Sequence, residues 1–208
     1  MLISKEISGL RQAAEAVKRG ELVAFPTDTF FALGADGFNS NAVDNVFVTK
    51  GRNPGTPVPL LVSSAEMAAS LVEDFPEPLK KLADEFWPGA LTVVLPATDR
   101  VPGVVTARTE TVGIRVPDHD VARELIELAG VPITGTSCNL TGRDPIKEAA
   151  IVDQVFGEQI PYVVDAECGD STAASTVVSF KDGKIIVLRE GAISPESLRN
   201  IVGDIVEK

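Results

Sequence analysis

The chain has 208 residues, 44% apolar and 24% charged, the balance of a folded globular protein rather than a disordered one. Thirty acidic against nineteen basic residues give a net charge of −11, which argues against retention on nucleic acid or anionic lipid by bulk charge. Two cysteines and one histidine exclude a disulfide framework and a Cys/His zinc centre, and 5% aromatics are too few for an RNA-reading stacking platform.

No apolar run reaches membrane-spanning length, and the opening MLISKEISGL lacks the apolar core of a secretory signal. The expected compartment is the reducing cytoplasm, with no membrane partner. Without a repeat, a low-complexity tract or a linker, residues 1–208 read as one domain.

In chain order, Ser8 to Arg19 carries apolar residues at helical spacing (Leu10, Ala13, Ala14, Val17), with Gly20 placed to end the helix. Leu22 to Phe25 reads as a short buried strand that Pro26 stops. Ser40 can cap a helix whose apolar positions are Val43, Val46 and Phe47. Val58 to Val62 is strand-like, Ser64 starts another helix, and Pro78 to Phe86 is a third. Leu91 to Leu95 is a β-rich run after the turn at Pro88-Gly89, and Val112 to Val116 is a further strand. Asp118 can cap a helix that runs to Ala129 and stops at Gly130. Pro132 to Gly135 is short and apolar and leads into a polar loop, Thr136 to Gly142. Lys147 to Phe156 is helical and Tyr162 to Val164 extended. Thr176 to Phe180 and Lys184 to Leu188 flank Asp182-Gly183, a strong hairpin signal, and Ser194 begins a final helix. These elements predict an α/β fold, a twisted mixed parallel and antiparallel sheet flanked by helices.

Positive charge is placed unevenly. Between Gly20 and Leu79 the only cations are Lys50 and Arg52, against eight acids. Cations that suit a helix C-terminal dipole explain the pair. So does a cavity in which the two neutralise carboxylate or phosphate oxygens, with Gly51 turning the chain between them and Arg52 offering a bidentate fork. Phe25 to Gly34 leaves a strand with Thr27, Asp28 and Thr29, which suits a ligand loop or a turn stabilised by Asp28. Thr134 to Gly142 carries four hydroxyls and the amide of Asn139, donors for a phosphate or a base edge, or an ordinary polar turn. No lysine follows its glycines, so it is not a P-loop. Cys138 has no base near it in sequence and reads as a packing residue, and His119 as a partly solvated first-turn side chain. Arg115 stands in an apolar strand, where it needs a partner or a ligand. Arg189 closes the apolar run Ile185 to Leu188, and Ser175-Thr176 precedes Val177-Val178. The two arginines can reach one anion or pair with structural carboxylates.

Seven of these pieces, in this order, resemble the YrdC-type L-threonylcarbamoyladenylate synthase family in its single-domain form. They are Lys18 to Thr29 (KRGELVAFPTDT), Lys50-Gly51-Arg52, Trp87 to Thr92 (WPGALT), Val112 to Pro117 (VGIRVP), Thr136 to Asn139 (TSCN), Ser175 to Val178 (STVV) and Leu188 to Gly191 (LREG). The resemblance runs from about residue 8 to about residue 200. It implies a twisted mixed sheet around a deep, positively lined cleft. It also implies a nucleotidyltransferase that joins L-threonine, bicarbonate and ATP into threonylcarbamoyl-AMP and releases pyrophosphate, the first step towards threonylcarbamoyladenosine in tRNA.

The family's Lys-x-Arg and Ser-x-Asn signature falls on Lys50, Arg52, Ser137 and Asn139. The resemblance then assigns Lys50 and Arg52 to catalysis and substrate binding, as neutralisers of carbamate and phosphates. Ser137 and Asn139 orient the nucleotide, Thr29 serves threonine, Ser175 and Arg189 serve the phosphates, and Arg115 is a further nucleotide contact. The protein is expected to hold no metal of its own, with Mg²⁺ arriving on the ATP oxygens. The expected partners are the three substrates and a downstream tRNA threonylcarbamoyl transferase, without tight binding of bulk RNA. Two departures stand out. The family's usual Tyr-Gly after the Pro-Thr-Asp-Thr loop is Phe31-Ala32 here, which removes a hydroxyl near the threonine pocket. The usual Lys before Pro-Leu is Thr56, which removes a cation from the cleft mouth. A rival reading, an RNA-binding or ribosome-assembly module using the same cleft without turnover, is opposed by the net charge and the few aromatics. Similar domains in hydrogenase maturation act with carbamoyl phosphate, in longer chains with zinc-finger and acylphosphatase segments.

Overall fold

The structure, a computed structural model, describes residues 1–207. The chain begins with β1 (Leu2–Ser4), α1 (Ile7–Lys18), β2 (Val23–Phe25), β3 (Ala32–Gly34), α2 (Ser40–Lys50), β4 (Leu60–Leu61) and α3 (Ala65–Ala69). It continues through α4 (Glu77–Phe86), β5 (Leu91–Pro96), α5 (Gly103–Thr106), β6 (Thr111–Arg115), α6 (Asp120–Ala129), β7 (Ile133–Thr134) and β8 (Thr136–Ser137). The last elements are α7 (Ala149–Phe156), β9 (Tyr162–Asp165), β10 (Thr176–Lys181), β11 (Lys184–Arg189), α8 (Pro195–Val202) and β12 (Ile205–Glu207).

The strands divide between two sheets, ordered β1-β9-β2-β3-β8 and β12-β11-β10-β5-β6-β4-β7. Both mix parallel pairs (β1 with β9, β10 with β5) and antiparallel pairs (β2 with β3, β5 with β6), as the sequence predicts. The division into two sheets is not visible in the sequence pattern. It occurs at Gly135, between β7 of one sheet and β8 of the other. A Cβ there would lie 2.6 Å from the Leu61 side chain, so a residue without one lets the backbone pass.

Period-two alternation decides what each face does. In β2, Val23 and Phe25 pack with Leu10 and Val17 of α1 and Leu125 and Ile126 of α6, while Ala24 packs with Val46 of α2 and Val152 of α7. In β5, Leu91, Val93 and Leu95 join Leu79 and Leu82 of α4 and Leu198 of α8, and in β6 Val112 and Ile114 join the same cluster. Each such fully buried aliphatic contributes roughly 1.5–3 kcal/mol, enough to fix this face of the larger sheet and leave the other free for polar residues.

Helix termini largely follow the sequence signals. Gly130 takes the left-handed conformation at the end of α6 (φ 71°), and Ser64 and Ser194 cap α3 and α8 through their side chains. Asp182 and Gly183 both have positive φ (52° and 79°), the hairpin geometry expected between β10 and β11. Two caps differ. Asn39, not Ser40, accepts the amides of Asn41 and Ala42 at the start of α2. The residue preceding α6 is His119, which makes no side-chain cap, while the Asp118 carboxylate accepts from Arg123 instead. The predicted strand Val58 to Val62 shrinks to Leu60–Leu61, because Pro59 has no ladder donor. Strands β1, β3 and β12 and helix α5, each of three or four residues, are too short to leave a periodic signal. Among the described residues no helix is long and apolar enough to cross a membrane.

Candidate active site

A cavity of about 470 Å³ opens on the polar face of the larger sheet. Its floor is the alternate set of residues: Thr92 and Val94 from β5, and Thr111, Gly113 and Arg115 from β6. The smaller sheet supplies the facing wall through the Thr27–Ala32 segment and Ser137 of β8. Gly113 keeps the floor flat, since a Cβ there would sit 3.2 Å from Thr92 and 3.4 Å from Pro59.

Three guanidinium groups line this space: Arg52, Arg115 and Arg189. Arg115 is ion-paired. Its side chain is 7% exposed and its Nη2 donates to the Asp28 carboxylate, while Nε donates to the Gly89 carbonyl at 2.8 Å and Nη1 to Thr29 Oγ1 at 3.2 Å. Asp28 Oδ1 also accepts the Asp118 amide at 3.2 Å, so one carboxylate ties the 27–30 loop to β6 and to the approach of α6.

Arg52 and Arg189 are held differently. Arg52 donates to Thr136 Oγ1 (3.1 Å) and to the Pro57 carbonyl (2.8 Å). Arg189 donates to the Ser175 carbonyl through Nη2 (2.6 Å) and Nε (3.2 Å), and to Ser175 Oγ (3.1 Å). Among the described residues neither has a carboxylate within ion-pair distance. Burial draws both below the ordinary arginine range. The charge of Arg189 adds to the effect on Arg52, and that of Arg115 to the effect on Arg189. Two uncompensated, half-buried cations beside one another favour an anionic occupant. Gly191 makes the Arg189 arrangement possible: a Cβ there would stand 2.3 Å from the Ala174 carbonyl oxygen.

Lys50 ends α2, and Gly51 turns the chain in the left-handed region (φ 59°). Lys50 is not among the residues that line the cavity. It donates to the carbonyls of Ser137 and Asn139 (2.7 Å for the latter) and to Asn139 Oδ1 at 3.4 Å. Burial pulls its pKa down to about 8, with Arg52 adding to the shift and Cys138 opposing it. Ser137 Oγ donates to Asn139 Oδ1 at 2.5 Å, and Asn139 Nδ2 donates to the carbonyls of Leu140 (3.0 Å) and Arg143 (2.7 Å).

Of the eight residues singled out in the sequence, Thr29, Arg52, Arg115, Ser137, Ser175 and Arg189 therefore line one cavity. Lys50 and Asn139 stand behind its wall. Thr29 Oγ1 lies 3.0 Å from Thr27 Oγ1, and Ser175 Oγ lies 2.8 Å from Thr92 Oγ1. Thr136, one of the hydroxyls of the 134–142 loop, also lines the cavity, whereas sequence reasoning missed Thr92 and Thr111. The signal was present in the polar residues at alternate positions of two otherwise apolar strands. Phe31 and Ala32 do border the cavity, and Phe31 is fully buried. Cys138 is buried in the core, its thiol pushed up to about 12, and is a packing residue. His119 binds the Glu167 carbonyl through Nε2 at 2.9 Å, away from the cavity.

The model of the Sua5/YciO/YrdC family, described as telomere recombination, matches residues 15–191. The chain belongs to this family. A Pyrococcus abyssi member named threonylcarbamoyl-AMP synthase is 36% identical over 196 residues, covering 94% of this chain and 58% of that protein. A Bacillus subtilis member with the same name is 37% identical over 197 residues, covering 94% and 57%. The chain thus spans less than two thirds of the length of these two family members. The structure of P. abyssi Sua5 complexed with L-threonine superposes with a TM-score of 0.96 at 34% identity, over all of this chain and 62% of the other.

Proposed function

We propose that this protein is an L-threonylcarbamoyladenylate synthase. It converts L-threonine, bicarbonate and ATP into threonylcarbamoyl-AMP and pyrophosphate, in the cytoplasm, as the first step of threonylcarbamoyladenosine formation in tRNA. The observation that carries the reading is the pair Arg52 and Arg189, cationic, without carboxylate partners among the described residues, and facing one cavity in a member of this family. The names of the family members and the threonine complex of P. abyssi Sua5 support it.

The chemistry suits such a site. The threonine amine adds to bicarbonate and water is lost, giving a carbamate. A carbamate oxygen then attacks the α-phosphorus of ATP, and the bond to the β-phosphate breaks to release pyrophosphate. Two anions must meet, so the protein's task is to orient them and offset their charge. Arg52 takes the carbamate and α-phosphate, and Arg189, oriented by Ser175, the departing phosphates. Ser137 orients the nucleotide, with Arg115 beside it. Thr29 serves the threonine, with Arg115 fixing its hydroxyl. The wall offers hydroxyls and guanidiniums, and Asp28 is spent on Arg115. Mg²⁺ therefore enters on the triphosphate. The product passes to a downstream tRNA threonylcarbamoyl transferase.

Pyrophosphate release from ATP, measured with and without threonine and bicarbonate, tests the reading. Release that needs both, with serine poorer than threonine by a factor of about 10–200, is expected, since one methyl group is worth about 1–3 kcal/mol. Equal release without an amino acid refutes it. Sub-micromolar, sequence-indifferent RNA binding without turnover would favour the binding-module reading instead.

A further inference from the structure

We propose that Lys50 is a positioning residue, a buried strut that shapes the Ser137–Asn139 loop from behind, and not a cation that touches the substrates. The inference rests on the synthase reading for its kinetic part and on geometry alone for its structural part.

An ammonium has three protons and no acceptor. Around Lys50 Nζ stand three oxygens of one short loop: the Ser137 carbonyl, the Asn139 carbonyl and Asn139 Oδ1. All three donors are therefore assigned. The residue is 4% exposed and is absent from the cavity lining, whereas Ser137, two residues from Asn139, is on the lining. Carbonyls of residues i and i+2 converging on one cation bend the loop around it. A second tie runs the other way, from the Thr141 amide to the Lys50 carbonyl at 2.9 Å. The last turn of α2 and the loop are thus joined through both backbone and side chain.

The consequence reaches the cavity through one hydroxyl. Asn139 Oδ1, held by Lys50, accepts from Ser137 Oγ at 2.5 Å. That bond points the Ser137 proton away from the cavity and leaves its oxygen as an acceptor on the wall. Without the ammonium, Asn139 Oδ1 loses its fixed charge partner, the Asn139 carbonyl loses its donor and the Ser137 carbonyl keeps only the Asn139 amide (3.0 Å), so the loop relaxes and the hydroxyl loses its direction. In this arrangement Arg52 is the member of the Lys-x-Arg pair that faces the ligand.

The strut works only while protonated. The charged or titratable groups felt by Lys50 are Cys138 and Arg52, neither of which changes protonation near pH 8. An alkaline loss of function that Lys50→Arg moves to higher pH is therefore assignable to Lys50.

The experiment combines amide hydrogen exchange of residues 136–143 with steady-state kinetics on Lys50→Met and Lys50→Arg. For Lys50→Met, faster exchange of the Cys138, Asn139 and Thr141 amides is expected, with the rest of the chain unchanged. KM for ATP should rise on the order of tenfold, the equivalent of one lost hydrogen-bonded contact, with kcat much less affected. In the wild type KM should rise as pH passes about 8. Lys50→Arg, which keeps its charge, should restore loop protection and shift that rise to higher pH. Unchanged loop exchange in Lys50→Met, together with a kcat lower by about 10² at unchanged KM, overturns the proposal, because that is the signature of a cation on the reacting atoms. If the wild type releases no pyrophosphate, the synthase reading falls, while the exchange comparison still decides whether Lys50 shapes the loop.

Discussion

Replacing Asp28 with alanine should destabilise the protein more than any other single change at the cavity. The substitution leaves the Arg115 guanidinium buried, 7% exposed, without its counter-ion. Removing one partner of a buried ion pair costs about 3–5 kcal/mol, most of it the uncompensated charge left behind. Two features place this site at the low end. Asp28 is itself 15% exposed, and Arg115 keeps the Gly89 carbonyl at 2.8 Å and Thr29 Oγ1 at 3.2 Å. About 3 kcal/mol in a chain of this length corresponds to a fall in Tm of roughly 6–12 °C. Scanning calorimetry and urea unfolding read it directly. Arg115→Met should cost less, because the Asp28 carboxylate it strands is closer to solvent and still accepts the Asp118 amide. The double variant should recover much of the loss, since neither charge then remains. A fall of less than about 2 °C for Asp28→Ala, or strictly additive effects in the double variant, would refute the assignment of Asp28 and Arg115 as one buried unit.

Arg52→Lys should keep its Tm and lose on the order of 10² in pyrophosphate release, because an ammonium cannot reproduce the planar fork; wild-type turnover would count against Arg52. Gly191→Ala should cost about 1–3 kcal/mol by urea unfolding and weaken ATP binding as well, since its Cβ would meet the Ala174 carbonyl oxygen at 2.3 Å and displace the support of Arg189. The stability of the wild type relative to Lys50→Met should rise between about pH 8 and pH 10.5, where the unfolded chain holds a proton at this position and the folded one has released it; urea midpoints across that range check the sign.

Much of this site was legible because its residues break a local rule. Arg115 inside an apolar strand demands a partner, and Asp28 supplies it from 87 positions away. Lys50 and Arg52 stood out as the only cations in a long acidic stretch, and Gly51 marked the turn between them. What one sequence hides is which of two alternatives each rule-breaker takes. Lys50 and Arg52 are two residues apart and look alike as cations, yet one donates to three oxygens of a single loop and the other lines the cavity. That difference is set by the loop at 137–139, some 87 residues away, and spacing carries no trace of it. The floor residues Thr92 and Thr111 were overlooked for a converse reason. A threonine is at home in any strand, and only the burial of Leu91, Val93, Val112 and Ile114 on the opposite face marks them as cavity-facing.

The distribution of acceptors explains how an acidic protein keeps a basic cavity. A carboxylate beside Arg52 or Arg189 would hold the side chain but cancel the charge that an anionic substrate needs. Instead Arg52 rests on a threonine hydroxyl and a proline carbonyl, and Arg189 on the carbonyl and hydroxyl of Ser175. Lys50 is likewise fixed by two carbonyls and an amide oxygen. Neutral oxygens orient a cation without neutralising it, so the site is ordered before the ligand arrives and reorganises little when charge develops. Among the described residues the only cavity arginine given a carboxylate, Arg115, sits where the carboxylate also anchors the 27–30 loop, so its charge serves the fold. The cost of holding Arg52 and Arg189 unpaired appears as their lowered proton affinity, and an anion entering the cavity relieves it. Binding energy is thereby directed at the anionic atoms of an occupant, and the net charge of −11 opposes retention of longer polyanions by bulk charge.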